Sequence, residues 1–129
     1  MPRQSTGRPT DSELAILRVL WEHGPSNVRA VYGELTKAKP TGYTTVLKIL
    51  QIMFVKGLVT RDERNQTHIY TAVTSEKQTQ RLLLRDLADR AFGGSARRLV
   101  LGALSAKKIS PAELAEIREL LNKLEGEES

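Results

Sequence analysis

The chain has 129 residues, no cysteine, 40% hydrophobic residues and 5% aromatics. That composition allows a small, mostly aliphatic core in one domain or two small units sharing one core, and it excludes disulfides and thiolate metal sites. With 20 basic against 15 acidic residues, the net charge of +5 and pI near 9.7 favour a polyanionic partner.

The surplus is unevenly placed. Residues 1–74 hold 10 Lys/Arg and 6 Asp/Glu, and residues 75–129 hold 10 and 9. The first part is expected to face the polyanion and the second to support it. The opening MPRQSTGRPT lacks the apolar run of a signal peptide. No apolar run approaches the roughly 18 residues of a membrane span, so a cytoplasmic chain with no membrane insertion is expected.

In chain order, residues 1–9 are polar with Arg3 and Arg8 and read as a disordered N-terminal arm. Thr10 with Glu13 three residues on is a capping box, predicting a first helix to about Glu22. Leu14, Leu17 and Trp21 lie on one face of it, joined by Ile16, Val19 and Leu20. His23-Gly24-Pro25 ends that helix, and Ser26 is expected to cap a second. There Val28, Val31, Tyr32 and Leu35 recur at i, i+3, i+4, i+7.

The third helix is expected to start at a Thr41 cap and to end at Gly57 in a left-handed turn. Val46, Ile49, Leu50 and Met53 form its buried face, and Thr44, Thr45, Lys48 and Gln51 its outer stripe. Hydroxyl, hydroxyl, ammonium and amide suit hydrogen bonding to base edges and phosphates, and the stripe has no carboxylate to repel DNA. An ordinary amphipathic helix with a solvated face is the competing reading of this stretch.

After Gly57 the pattern becomes extended. LVTRDER and THIYTAV are rich in strand formers, with Asn65-Gln66 as a turn and Arg61 and Arg64 near the tip. Three helices followed by a hairpin with a basic tip predict a winged helix-turn-helix DNA-binding domain over residues 10–74. Tyr43, Thr44, Thr45, Lys48 and Gln51 are the candidate groove residues, and Arg61, Arg64 and His68 the candidate wing contacts.

From Ser75 the helical period returns, with Leu84, Leu87, Ala88 and Ala91 in phase before Phe92 and a Gly93-Gly94 break. Ser95 caps ARRLVLGALS; Ser110, Pro111 and Glu113 open a last helix. Leu114, Ile117, Leu121 and Leu124 make a heptad-like seam, and Leu99, Leu101 and Leu104 are apolar positions of the shorter helix. Residues 75–124 are therefore expected to form a helical dimerisation region, with residues 125–129 a solvated acidic tail. The fold class is mainly α (α+β): an N-terminal winged helix-turn-helix domain and C-terminal dimerisation helices.

Tyr43-Thr44-Thr45-Val46, Lys56-Gly57-Leu58-Val59 with the hairpin, and the later GGSARRLVLGALS and ISPAELAEIRELLNKLE resemble the penicillinase repressor family of the BlaI/MecI type. The resemblance runs from about Thr10 to Leu124. It implies a homodimeric transcriptional repressor on a palindromic operator in double-stranded DNA, relieved when a membrane sensor-protease leads to a cut in the dimerisation region. Where family members often carry Asn-Phe for that cut, this chain has Gly102-Ala103. Ile52 stands where an arginine is common, so the operator sequence does not carry over, and the cysteine-rich tail of copper-responsive relatives is absent.

Neither His23 nor His68 has a local triad or metal-ligand pattern, and no glycine-rich phosphate loop exists. No catalytic residue, metal or cofactor is expected. A ligand-sensing regulator and a winged-helix protein-interaction adaptor are the competing readings.

Overall fold

The computed structural model describes residues 8–128; residues 1–7 of the expected arm and Ser129 of the expected tail lie outside them. Three helices, α1 (Asp11–His23), α2 (Val28–Ala38) and α3 (Tyr43–Lys56), precede strands β1 (Val59–Asp62) and β2 (Ile69–Ala72). Helices α4 (Glu76–Ala91), α5 (Ala96–Ala106) and α6 (Pro111–Glu128) follow. This is the mainly helical class with a small sheet that the sequence predicts. The chain divides into two compact units between Arg85 and Asp86, inside α4.

Helix α1 starts where the capping box places it. Thr10 Oγ1 accepts from the Glu13 amide, and Glu13 Oε1 accepts from the Thr10 amide. Its apolar residues are consecutive enough to bury two sides of the helix: Ile16, Leu17, Val19 and Leu20 are all buried. Trp21 is half-buried against the core, and its indole N–H donates to the Thr74 carbonyl oxygen at 2.9 Å, tying α1 to the residues just after β2.

Two expected caps are displaced. Ser26 does not cap α2; Asn27 does, its side chain accepting from the Ala30 amide at 2.8 Å. The Ser26 backbone is engaged elsewhere. It exchanges two hydrogen bonds with Tyr70 across an antiparallel bridge, at 3.0 and 2.8 Å, while its hydroxyl donates to the Gly24 carbonyl oxygen. A long-range pairing has taken the residue, and the cap falls to the next polar side chain. Thr41 likewise does not cap α3. Its hydroxyl donates to the Lys39 carbonyl oxygen, and Gly42 is the N-cap with no side-chain bond.

At the other end of α3, Gly57 adopts the left-handed conformation (φ 86°, ψ 13°), where a side chain would be strained. Its amide donates to the Phe54 carbonyl oxygen and that of Leu58 to the Met53 carbonyl oxygen, which turns the chain directly into β1. Strand β1 pairs antiparallel with β2 in the register Val59↔Ala72 to Asp62↔Ile69. With the Ser26 bridge on the far side of β2, the first unit has winged helix-turn-helix architecture.

The core of this unit joins Ile16, Leu17 and Leu20 of α1, Val31 of α2, Val46, Leu50 and Met53 of α3, and Val59 and Tyr70 of the wing. Leu50 is fully buried at the centre of α3, so Leu50→Ala would leave a cavity of the kind that costs about 2–5 kcal/mol. The orientation of α3 is therefore set by packing against α1, α2 and β1.

The second unit is built differently. Ser95 caps α5 through the Arg98 amide, and Ser110 with Glu113 forms a full capping box on α6. Backbone and side-chain hydrogen bonds from Ser110 hold the Glu113 carboxyl below its ordinary pKa. Gly93 and Gly94 sit at φ 59° and 78° between α4 and α5. A Cβ on Gly102 would stand 3.2 Å from the Phe92 ring, so the glycine admits the ring against α5. Yet α5 has no buried residue, and Ala88 is the one buried hydrophobic residue of this unit among the described residues. Helix α6 runs through the expected tail to Glu128, with Glu125 and Glu127 exposed.

Candidate nucleic-acid interface

Helix α3 presents the predicted stripe. Thr44, Thr45, Lys48 and Gln51 are exposed, back to back with the buried Val46, Leu50 and Met53. No acidic residue occurs between Glu34 and Asp62, so α3 itself carries no carboxylate to oppose a phosphate, although Asp11 of α1 lines a hollow beside Thr45. The stripe continues past Gln51 into Ile52 and Val55, the latter 85% exposed. Its first half is thus polar and its second half apolar, a pairing of hydrogen-bonding groups with surface fit for thymine methyls.

Tyr43 is placed at the edge of this surface, 39% exposed, at the first position of α3. Its ring meets Tyr32 edge-on, with centroids 5.5 Å apart at 72°, and the Arg29 guanidinium lies 5.3 Å from its centroid. Both neighbours come from α2. Tyr43 is therefore held by packing and open to solvent at once. Arg29, which sequence reasoning passed over, is the basic residue that accompanies it. Its position in the first turn of α2 was the available signal, one that gains meaning only when α2 and α3 are set side by side.

Between the start of α2, the exposed edge of α3 and the wing runs an open groove of about 480 Å³, with Arg29, Tyr43, Gln51, Arg61, Gln66 and His68 on its walls. Two guanidinium groups, an imidazole and several amide or hydroxyl groups converge there, and among the described residues no carboxylate lines it. A surface of this kind can accept an anionic backbone while α3 addresses what lies beside it. His68 is half-buried on the wing side of the groove.

Of the two wing arginines Arg61 lines this groove and Arg64 lies beyond the end of β1, and neither is idle. Arg61, in β1, gives its Nε to Glu63 and lays its guanidinium 4.0 Å from the Phe54 ring centroid; its side chain is 21% exposed. Glu63 first, and Tyr70 second, hold that guanidinium charged more firmly than usual. Arg64 forks onto Asp62, with Nη2 at 2.8 Å from Oδ2 and Nε at 3.0 Å from Oδ1, and its backbone amide also donates to Oδ1. The Arg64 side chain lowers the Asp62 pKa to about 2, helped by that backbone bond.

The residues proposed for dimerisation all lie in the second unit. Leu101, Leu114, Leu121 and Leu124 are exposed, and Leu99, Leu104 and Ile117 half-buried. His23 sits at the end of α1, 3.3 Å from carboxylate oxygens of Glu22 and Glu34, away from the groove. Among the described residues, no group of His, Asp and Glu is arranged to hold a metal ion and no helix is long and apolar enough to cross a membrane.

Most of the chain is similar to known proteins. A family model described as penicillinase repressor matches residues 9–123. A penicillinase repressor of Bacillus licheniformis is 24% identical over 112 residues, covering 87% of this chain and 88% of that one. A transcriptional regulator BlaI of Mycobacterium tuberculosis is 28% identical over 116 residues, covering 89% and 83%. The methicillin resistance regulatory protein MecI of Staphylococcus aureus is 19% identical over 114 residues, covering 88% and 93%. Among solved structures, the DNA-binding domain of the repressor BlaI in solution superposes with a TM-score of 0.51 at 24% identity, over 57% of this chain and 90% of that one.

Proposed function

This chain belongs to the penicillinase repressor family, and from that membership we infer that it is a transcriptional repressor that reads duplex DNA with α3. As a member of a family of repressors it is not an enzyme. The observation that carries the reading is the exposed, carboxylate-free stripe of α3, held rigidly by a core that buries the opposite face. Thr44, Thr45, Lys48 and Gln51 enter the major groove, where hydroxyl, methyl, ammonium and amide meet base edges. Arg29, Tyr43, Arg61 and His68 of the groove flank them against the phosphate backbone, joined by the exposed Arg64 of the wing.

The repressor acts as a homodimer in the cytoplasm. Apolar side chains exposed along α5 and α6 in the isolated protomer are supported best by a second copy of the same helices. Two winged helices related by a two-fold axis require a palindromic operator, with half-sites about one helical turn, roughly 34 Å, apart. Occupying a promoter in this way blocks transcription sterically. Separating the protomers removes the avidity of two half-sites and relieves repression. A membrane sensor-protease that cuts the second unit is one route to that separation. The Gly102-Ala103 peptide lies inside the continuous helix α5, so a cut there requires α5 to unwind first.

The test is selection of bound duplexes from a random pool, followed by binding at several salt concentrations. An enriched inverted repeat, occupied by two protomers with a steep salt slope, is the expected result. Weak binding without an enriched repeat would overturn the repressor reading and favour a protein-interaction adaptor.

A further inference from the structure

The wing segment Arg61-Asp62-Glu63-Arg64 carries two positive and two negative charges and pairs them internally. The pairing is local: β1 ends at Asp62, whose carboxylate accepts from the Arg64 backbone amide in a turn that brings the Arg64 side chain back onto it, while Arg61 meets Glu63 two residues on. The pairs are not equivalent. Arg61 is held on three sides, by Glu63, by the Phe54 ring and by Tyr70. Arg64 is held by Asp62, and its side chain is 88% exposed while that of Asp62 is 37% exposed. An ion pair this exposed exchanges its partner at little cost. The Asp62 carboxylate, moreover, offers the same two-oxygen fork to the guanidinium that a phosphate would.

We propose that Asp62 is a placeholder for a DNA phosphate, and that its exchange for that phosphate at Arg64 sharpens the discrimination between operator and bulk duplex. This rests on the DNA-binding reading above. Non-specific binding is almost wholly a count of neutralised phosphates. In a loosely docked complex the wing lies within reach of the backbone without closing on it, Arg64 stays on Asp62, and the neutral pair adds nothing to affinity. Once α3 is seated on its bases, the wing is held against the backbone and Arg64 changes partner. Asp62 thereby withholds one charge from every wrong sequence and releases it on the right one. Glu63 does not act in this way, because Arg61 stays anchored on Phe54 and Tyr70 when its carboxylate is removed.

The test compares Asp62→Asn with Glu63→Gln in the full-length protein, on the duplex enriched by selection and on a scrambled duplex of equal length. Asn keeps the acceptor for the Arg64 amide, so the turn that it closes survives. Unchanged thermal midpoints for both variants check this. For Asp62→Asn, affinity for the scrambled duplex is expected to rise about two- to fivefold. Its salt slope should steepen by roughly 0.9, one more phosphate neutralised. Affinity for the selected duplex should change less than about twofold, so that the ratio between the two falls. Glu63→Gln is expected to leave the ratio unchanged.

Equal gains on both duplexes, or equal effects of the two variants, would overturn the proposal and reduce Asp62 to a generic negative charge. An unchanged slope on the scrambled duplex would also overturn it. If the unsubstituted protein bound neither duplex with salt dependence, the DNA-binding reading itself would fall, and the proposal with it.

Discussion

Lys56 Nζ sits 2.8 and 3.0 Å from the two carboxylate oxygens of Glu13, whose side chain is 4% exposed, so the last turn of α3 is tied to the first turn of α1. The same carboxylate closes the Thr10 capping box. Two constraints on the three-helix core therefore meet on one buried group. Lys56→Met would leave the carboxylate with the Thr10 amide alone, and a stability loss of about 1–3 kcal/mol is expected in urea unfolding. Glu13→Gln combined with Lys56→Met should recover part of that loss, since an apolar partner beside a neutral amide is less costly than an unpaired charge. Additive effects in the double-mutant cycle, within about 0.3–0.5 kcal/mol, would show that the pair is not coupled in solution.

Base reading and backbone contact should separate by position. Thr45 stands exposed in the first turn of α3, so Thr45→Ala is expected to relax preference at one base pair per half-site by roughly 1–3 kcal/mol, leaving the salt slope unchanged. Arg29 lies on α2 beside Tyr43, and Arg29→Ala should weaken every duplex alike while flattening the salt slope by roughly 0.9. Repeating the pool selection with each variant separates the two. Identical enrichment profiles and identical slopes would refute this division of labour.

The elements most legible in the sequence were those governed by local chemistry. The Thr10–Glu13 and Ser110–Glu113 boxes, the left-handed Gly57 and the buried face of α3 depend on residues within one or two turns of each other. The expected caps at Ser26 and Thr41 failed because each residue met a competing backbone acceptor, and Ser26 also a strand partner 44 positions away. Distance in sequence likewise hid the Lys56–Glu13 pair, the Trp21–Thr74 hydrogen bond and the placing of Arg29 over Tyr43. The wing is the intermediate case. Its opposite charges two residues apart were in plain view, yet reading the arginines as basic contacts overlooked that the neighbouring carboxylates engage them.

The Asp62–Arg64 pair has a defined pH range. Its folded pKa, about 2, lies below the ordinary carboxylate value, so the pair's contribution is fully present above about pH 4. It is lost as pH falls through about 2, when Asp62 takes up its proton. Asp62 should therefore stay ionised across the whole physiological range, and it supplies no acid switch for DNA binding. A carboxyl chemical-shift titration should give Asp62 a midpoint near 2, moving back toward the ordinary value of about 3.9 in Arg64→Ala. A midpoint already near 3.9 in the unsubstituted protein would mean that the fork does not persist in solution.

The second unit supplies the strictest test of dimerisation, because several of its leucines are exposed in the protomer. Leu121 is 52% exposed on α6, and Leu114 and Leu124 share its stripe. Leu121→Arg places a charge where a partner helix would bury it, at a position that the isolated protomer leaves in water. The expected result is a shift from dimer to monomer in sedimentation at micromolar concentration. With the link between half-sites gone, affinity for a full inverted repeat should fall to nearly that for a single half-site, by about 10²-fold or more. Binding to the isolated half-site should change little, since the first unit is untouched. The dilution dependence of the melting temperature that a dimer shows should disappear as well. A variant that remained dimeric and kept its full preference for the inverted repeat would place the interface elsewhere than on the α6 seam.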